Sequence, residues 1–172
     1  MWTCNKERTF ATSCLPKVGS TSFRNAIRNG DIYTSEQIID VPVRVLWIRE
    51  WSERVVSAYS MYHWLKVEGR NNANSKEIPD DYESFVDFIL TNDDHPEARH
   101  WLPQSDQVKL DGDHIYTHVY KFTPESVREN WSKHNPGRLP WANSFTHLPT
   151  NDYRYNDLKE YYQEDDALWH SL

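Results

Sequence analysis

The chain has 172 residues, enough for one compact domain with a buried core, and a formal charge of −7 from 26 Asp and Glu against 19 Lys and Arg. That excess of acid argues against a nonspecific nucleic-acid binder held by phosphate contacts, so any anion site has to be local. Apolar residues make up only 38% and mean hydropathy is −0.85, yet eight Trp and ten Tyr supply large surfaces for a core, and no apolar run approaches the roughly 20 residues of a membrane span.

Met1 to Arg8 lacks the apolar segment of a secretory signal. The two cysteines, Cys4 and Cys14, are too few for a disulfide framework or a Cys-rich zinc site and read as free thiols.

Thr9 to Leu15 is β-prone and ends at Pro16, and Ser20 to Arg28 then places Phe23, Ala26 and Ile27 at helical spacing before stopping at Asn29-Gly30. This predicts strand, tight turn, helix. Val41 to Ile48 (VPVRVLWI) is the most strand-like run in the chain, and from Ser52 the apolar residues Val55, Val56, Tyr59 and Tyr62 change to a helical period, giving a second such unit.

Gly69 to Asp81 carries Asn, Gly, Pro and charge without periodicity and reads as an exposed loop, a candidate substrate lid. Tyr82 to Leu90 puts Phe85, Val86 and Ile89 on one helical face. His114 to Phe122 alternates as a third strand, followed by a short helix over Pro124 to Trp131. After an irregular stretch to Asn151 comes one aromatic and acidic helix, Tyr155 to Trp169. The order predicts a single α/β domain over 1–172, a parallel sheet flanked by helices, with no internal repeat.

Two segments carry anion chemistry. Lys17-Val18-Gly19-Ser20-Thr21-Ser22 lies where a strand hands over to a helix, where main-chain N–H groups and the positive end of the helix dipole converge. Lys17 adds a cation, Gly19 allows close main-chain approach, and three hydroxyls follow. Read alone, the loop also fits an ordinary Ser/Thr-capped helix start, and it is not a Walker A loop because GxxxxGK[ST] is absent. Arg49 leaves the end of the next strand and Ser57 lies about two helical turns further on. Ligands of open α/β sheets bind outside the carboxyl ends of strands, so Lys17 and Arg49 are placed to face one crevice and to take a nucleotide with phosphates at both ends.

PKVGSTSF resembles the 5′-phosphosulfate loop of PAPS-dependent sulfotransferases. WIREWSERVVSAYS resembles their 3′-phosphate motif, close to the R-E-P-F-E-R-L-V-S-A-Y form of Golgi carbohydrate sulfotransferases of the chondroitin and dermatan type. YESFVDFIL with His100-Trp101 and YTHVYKF resemble later segments of the same family, in order over about residues 10–122. Trp51 and Ser52 stand where the family usually has Pro and Phe, the cysteines that follow H-W in the Golgi enzymes are missing, and Arg28 to Val41 is shortened.

The resemblance implies a minimal, P-loop-like sulfotransferase fold and transfer of the sulfuryl group from PAPS to a hydroxyl of a carbohydrate or glycan-like acceptor, with PAP as product and no metal. It implies Lys17 at the bridging oxygen and 5′-phosphate, donors from Val18, Gly19, Ser20, Thr21 and Ser22, and Arg49 with Ser57 at the 3′-phosphate. Asn143 and Ser144 are the nearest counterpart of a loop that closes over the nucleotide. Arg54 is read as pairing with a carboxylate and Glu50 as orienting Arg49.

His100 is the first choice of base, since an imidazole with an ordinary pKa of about 6.5 accepts a proton at neutral pH. The other reading of His100 is a structural histidine, and His63 reads as packing. His95 and His100 with Asp94 and Glu97 fit no HExxH spacing, so no metal site is predicted there. A cytosolic location is expected, a trimmed Golgi-luminal domain being the alternative. Two other functions use the same loop: a PAP- or PAPS-binding module without catalysis, and a P-loop-like nucleotide kinase, for which the Mg²⁺ ligands and Walker lysine are not found.

Overall fold

The computed structural model describes residues 1–27, 33–34, 36–70, 72–111, 115–134 and 150–172, apart from the side chains of residues 20, 110 and 111. Four strands form one sheet in the order β1 (Trp2–Cys4), β2 (Phe10–Ser13), β3 (Val43–Ile48), β4 (His118–Lys121). β2, β3 and β4 are parallel, with Phe10 opposite Val43 and Ile48 opposite Lys121. The expected wholly parallel sheet needs one correction: β1 pairs antiparallel to β2, with Trp2 opposite Ser13. A hairpin joins them, in which the Asn5 Oδ1 accepts from the N–H groups of Thr9 (2.9 Å) and Phe10 (3.0 Å) while Arg8 takes a left-handed φ of 54°.

Among the described residues seven α-helices surround the sheet: α1 (Ser20–Ile27), α2 (Trp51–Val67), α3 (Tyr82–Ile89), α4 (Gln104–Asp111), α5 (Pro124–His134), α6 (Tyr155–Tyr161) and α7 (Gln163–Ser171). β3 lies between two parallel neighbours and buries both faces from Val45 to Ile48, which is why that part of its sequence is a continuous apolar run. Val45 and Trp47 turn to one side, against Phe23 of α1 and Val127 and Trp131 of α5. There Phe23 stacks between Trp47 (5.4 Å) and Trp131 (5.3 Å). Leu46 and Ile48 turn to the other side, against Leu15, Val18 and the Val108 and Leu168 of α4 and α7. A further cluster of Trp51, Tyr62, Ile78, Phe85 and Trp101 holds α2 and α3 together beside the sheet.

α2 starts where the Glu50 carboxylate accepts the Glu53 N–H at 2.9 Å and the Ser52 hydroxyl. It ends at Gly69, φ 63°, with Arg70 N–H donating to Leu65 O (2.8 Å) and Gly69 N–H to Lys66 O (3.0 Å), the two bonds of a Schellman stop. The stretch read as an exposed loop is exposed over most of its described residues and is anchored at a few points: Ile78 is fully buried, a 3₁₀ turn covers Asn74–Lys76, and Tyr59 Oη donates to Asp80 O at 3.1 Å. The single helix expected over 155–169 breaks at Tyr162, whose ring stacks on Trp51 at 5.5 Å and whose hydroxyl donates to Trp101 O.

Candidate functional site

The loops that follow β2 and β3 leave the same edge of the sheet, because the two strands are parallel neighbours. The first of them is strained. Lys17 has φ 67°, a left-handed conformation that a side chain rarely adopts, and Gly19 has φ 75°. At Gly19 a Cβ would stand 2.6 Å from the Phe122 ring, so glycine is required both by the turn and by the aromatic wall behind it. Phe23 N–H donates to Gly19 O at 2.9 Å, which makes Gly19 the residue from which α1 starts. Val18 is buried in the core beside Leu46 and Ile48. Thr21 is half-buried and Ser22 buried in the first turn of α1, at the positive end of its dipole.

The second loop grips the first. Arg49 Nη1 donates to Lys17 O at 3.0 Å, and its Nε lies 3.3 Å from the Glu53 carboxylate. Glu50, read from sequence as orienting this arginine, instead caps α2, and Glu53 one turn later does the orienting. Arg54 is buried to 1% exposure, and its described bonds go to carbonyls rather than to the carboxylate expected: Pro16 O (3.3 Å), Arg99 O (3.1 Å), Trp101 O (3.3 Å) and Leu102 O (2.6 Å). One guanidinium thereby ties the loop after β2 to the segment that carries His100. Ser57 lies one turn beyond Arg54 on the buried side of α2.

Three cations of two separate motifs therefore converge. The Lys17 amine is pushed down to about 7, by burial first and then by Arg49 and Arg54. An anion placed among these groups would favour the charged form of all three at once.

His100 ends a 3₁₀ turn, Ala98–His100, beside the same group. Its ring meets Tyr62 edge-on at 5.8 Å, its Nε2 lies 3.4 Å from Glu97 Oε2, and Tyr62 Oη donates to that same oxygen at 3.3 Å. The Nδ1 is buried without a hydrogen-bond partner among the described residues. Burial, then Lys17, Arg99 and Arg54, press its pKa down to about 3, far below the 6.5 on which its choice as base rested. The ring is neutral at physiological pH, and protonating it beside three cations is costly until negative charge enters. His63, read as packing, sits against the Tyr59 ring at 6.2 Å. His95 stacks on Trp101 at 5.6 Å. Asn143 and Ser144 fall outside the described residues.

Two buried residues of this neighbourhood are not visible in the sequence. The Gln104 side chain accepts from Arg49 N–H (3.0 Å) and donates to Arg49 O (2.7 Å), and Asp165 accepts from the N–H groups of Gln104 (2.9 Å) and Ser105 (2.8 Å). Gln104 follows Pro103 in a stretch with little helical period. Asp165 stands in the acidic run Glu164-Asp165-Asp166, where nothing distinguishes the one acid that turns inward. Comparison with protein-family models, with curated proteins and with solved structures finds no match to this chain.

Proposed function

We propose that the chain is a PAPS-dependent O-sulfotransferase that moves the sulfuryl group to a hydroxyl of a carbohydrate or glycan-like acceptor. The observation that carries this reading is the contact between Arg49 and the Lys17 carbonyl, which joins the two segments that resemble the donor motifs into one cationic site. In this reading Lys17 and the main chain of Val18 to Ser22 hold the 5′-phosphosulfate, while Arg49 and Ser57 hold the 3′-phosphate. The acceptor oxygen bonds to sulfur as the bond from sulfur to the 5′-phosphate oxygen breaks, PAP leaves, and the acceptor proton passes to His100. The incoming phosphates supply the negative charge that makes a protonated His100 less costly.

Thermal unfolding with added PAP tests the reading. PAP is expected to raise the melting temperature, and Lys17→Ala to abolish both that rise and transfer from labelled PAPS. Unchanged melting at millimolar PAP sinks the proposal. A second reading, a PAP- or PAPS-binding module without catalysis, is favoured by one observation: His100 is a very weak base and its Nδ1 is buried. It predicts the same melting shift with no sulfated product across sugars and tyrosyl peptides.

A further inference from the structure

We propose that Gln104 and Asp165 are positioning residues for Arg49, making α7 a working part of the anion site. The effect on nucleotide binding rests on the reading above. The path itself rests on hydrogen bonds alone.

Gln104 is fully buried and Asp165 is 1% exposed. A buried carboxylate is costly unless its oxygens are satisfied, and here both are, by the first two N–H groups of α4: Oδ2 by Gln104 N–H at 2.9 Å and Oδ1 by Ser105 N–H at 2.8 Å. Oδ2 lies also 3.3 Å from Gln104 Nε2, so the same carboxylate that caps α4 fixes which way the Gln104 amide points. That orientation has a consequence at β3. With Nε2 turned to Asp165 and to Arg49 O at 2.7 Å, Oε1 is left for Arg49 N–H at 3.0 Å.

Arg49 is the residue at which the chain leaves the sheet for α2, and both of its main-chain polar groups are held by one side chain. Its guanidinium has to reach Lys17 O and Glu53 from that anchored point. Asp165 also acts by charge, as one of the groups that favour the charged form of the buried Arg54. A chain of three contacts thus runs from α7 through the start of α4 to the end of β3.

Amide hydrogen exchange and PAP binding, measured on the full chain, separate this arrangement from a helix cap that serves stability alone. Asp165→Asn keeps the shape but turns an NH₂ or a weaker acceptor toward the α4 amides. It is expected to speed exchange at Gln104, Ser105 and Arg49 together while Thr3 and Ala11 stay protected. Gln104→Ala removes only the second link and is expected to expose the Arg49 amide while Ser105 remains slow. Each variant is expected to weaken PAP binding by about tenfold, the loss of roughly one hydrogen bond to a binding group. Glu164→Gln, on the exposed side of α7, should leave both readouts unchanged.

Should Asp165→Asn accelerate Gln104 and Ser105 but not Arg49, or Gln104→Ala leave Arg49 protected, the carboxylate caps α4 and nothing more. If Asp165→Asn does not fold, Gln104→Ala decides. If the unaltered chain fails to bind PAP, the nucleotide reading falls and the exchange pattern still judges the path from α7 to Arg49.

Discussion

Arg49 reaches from the end of β3 to the carbonyl of Lys17 at 3.0 Å, closing over a loop whose lysine is held at φ 67°. A left-handed lysine in a half-buried turn is unfavourable on two counts, backbone and charge, and both costs fall at the point where the two anion-binding segments meet. A strained turn set among Lys17, Arg49 and Arg54 is suited to a ligand that brings negative charge.

The charge makes a prediction about stability alone. The Lys17 amine titrates near 7 in the folded chain against 10.5 for an ordinary lysine. Between those values the unfolded chain holds a proton there that the folded chain does not, so the pH slope of unfolding free energy is positive. Urea unfolding from pH 7 to 10 is expected to show stability rising with pH relative to Lys17→Met, which lacks this contribution. Parallel pH profiles for the two proteins would show that Lys17 keeps an ordinary pKa.

Gly19 and Gly69 form an internal comparison. Both have positive φ, 75° and 63°, but a Cβ at Gly19 meets Phe122 at 2.6 Å whereas one at Gly69 meets nothing within 4 Å. Gly69→Ala is expected to cost about 1 kcal/mol from the backbone, and Gly19→Ala about 2–4 kcal/mol because overpacking is added. Replacing Phe122 by Leu in the Gly19→Ala background should recover part of the difference. Equal costs at the two glycines would remove the role given to the Phe122 wall.

What was legible follows from how each element is buried. β3 announces itself because both of its faces are covered, and α1 and α3 because one face is, so the two crossover units and the positions of Lys17 and Arg49 follow from the chain alone. β1 escapes notice because Trp2–Cys4 is three residues long and takes its pairing from the hairpin. α4 escapes because Gln104–Asp111 starts on a cap supplied 60 residues away by Asp165 rather than on a local one. No proline or glycine marks the break at Tyr162; it comes from the ring stacking on Trp51 and the hydroxyl reaching Trp101 O, both tertiary contacts. Likewise, Arg54 was assigned a carboxylate because sequence offers nearby acids, but it holds main-chain carbonyls that no sequence pattern displays.

That use of Arg54 is open to test. Arg54→Met keeps much of the side-chain volume and removes every donor, leaving the Pro16 and Arg99 carbonyls to find other partners in a buried place while Trp101 O keeps only Tyr162 Oη and Leu102 O only Gln107 Nε2. Buried groups left unpaired cost about 1–3 kcal/mol each, and partial relaxation brings the expected total to about 3–5 kcal/mol in denaturant unfolding. A loss below about 1 kcal/mol would mean that the loop after β2 and the His100 segment are held together without it.

Ile78 decides whether residues 69–81 form a lid. Its side chain is fully buried against the α2 and α3 cluster, and Lys66 Nζ donates to its carbonyl. Ile78→Ala is expected to cost about 2–4 kcal/mol, the price of a cavity in a packed core. A segment that opened freely over a substrate would show little change.

The charge on Lys17 and nucleotide binding are coupled. If PAP occupies the site, its phosphates must raise the Lys17 pKa above the free value of about 7, because opposite charge nearby favours the protonated amine. Binding then takes up a proton wherever free Lys17 is deprotonated, and affinity falls as pH rises. Below pH 7 a second effect interferes, since a phosphate monoester gains its second charge near pH 6 and affinity rises with it. Between pH 7.5 and 9 only the lysine contributes of the two, and the dissociation constant should rise by up to about tenfold per pH unit. Calorimetry at pH 8 in two buffers of different ionisation enthalpy counts the protons directly, and approaching one is expected for the unaltered chain and close to none for Lys17→Met. Tight PAP binding with no proton uptake in the unaltered chain would place the nucleotide away from Lys17, whatever motif the loop resembles.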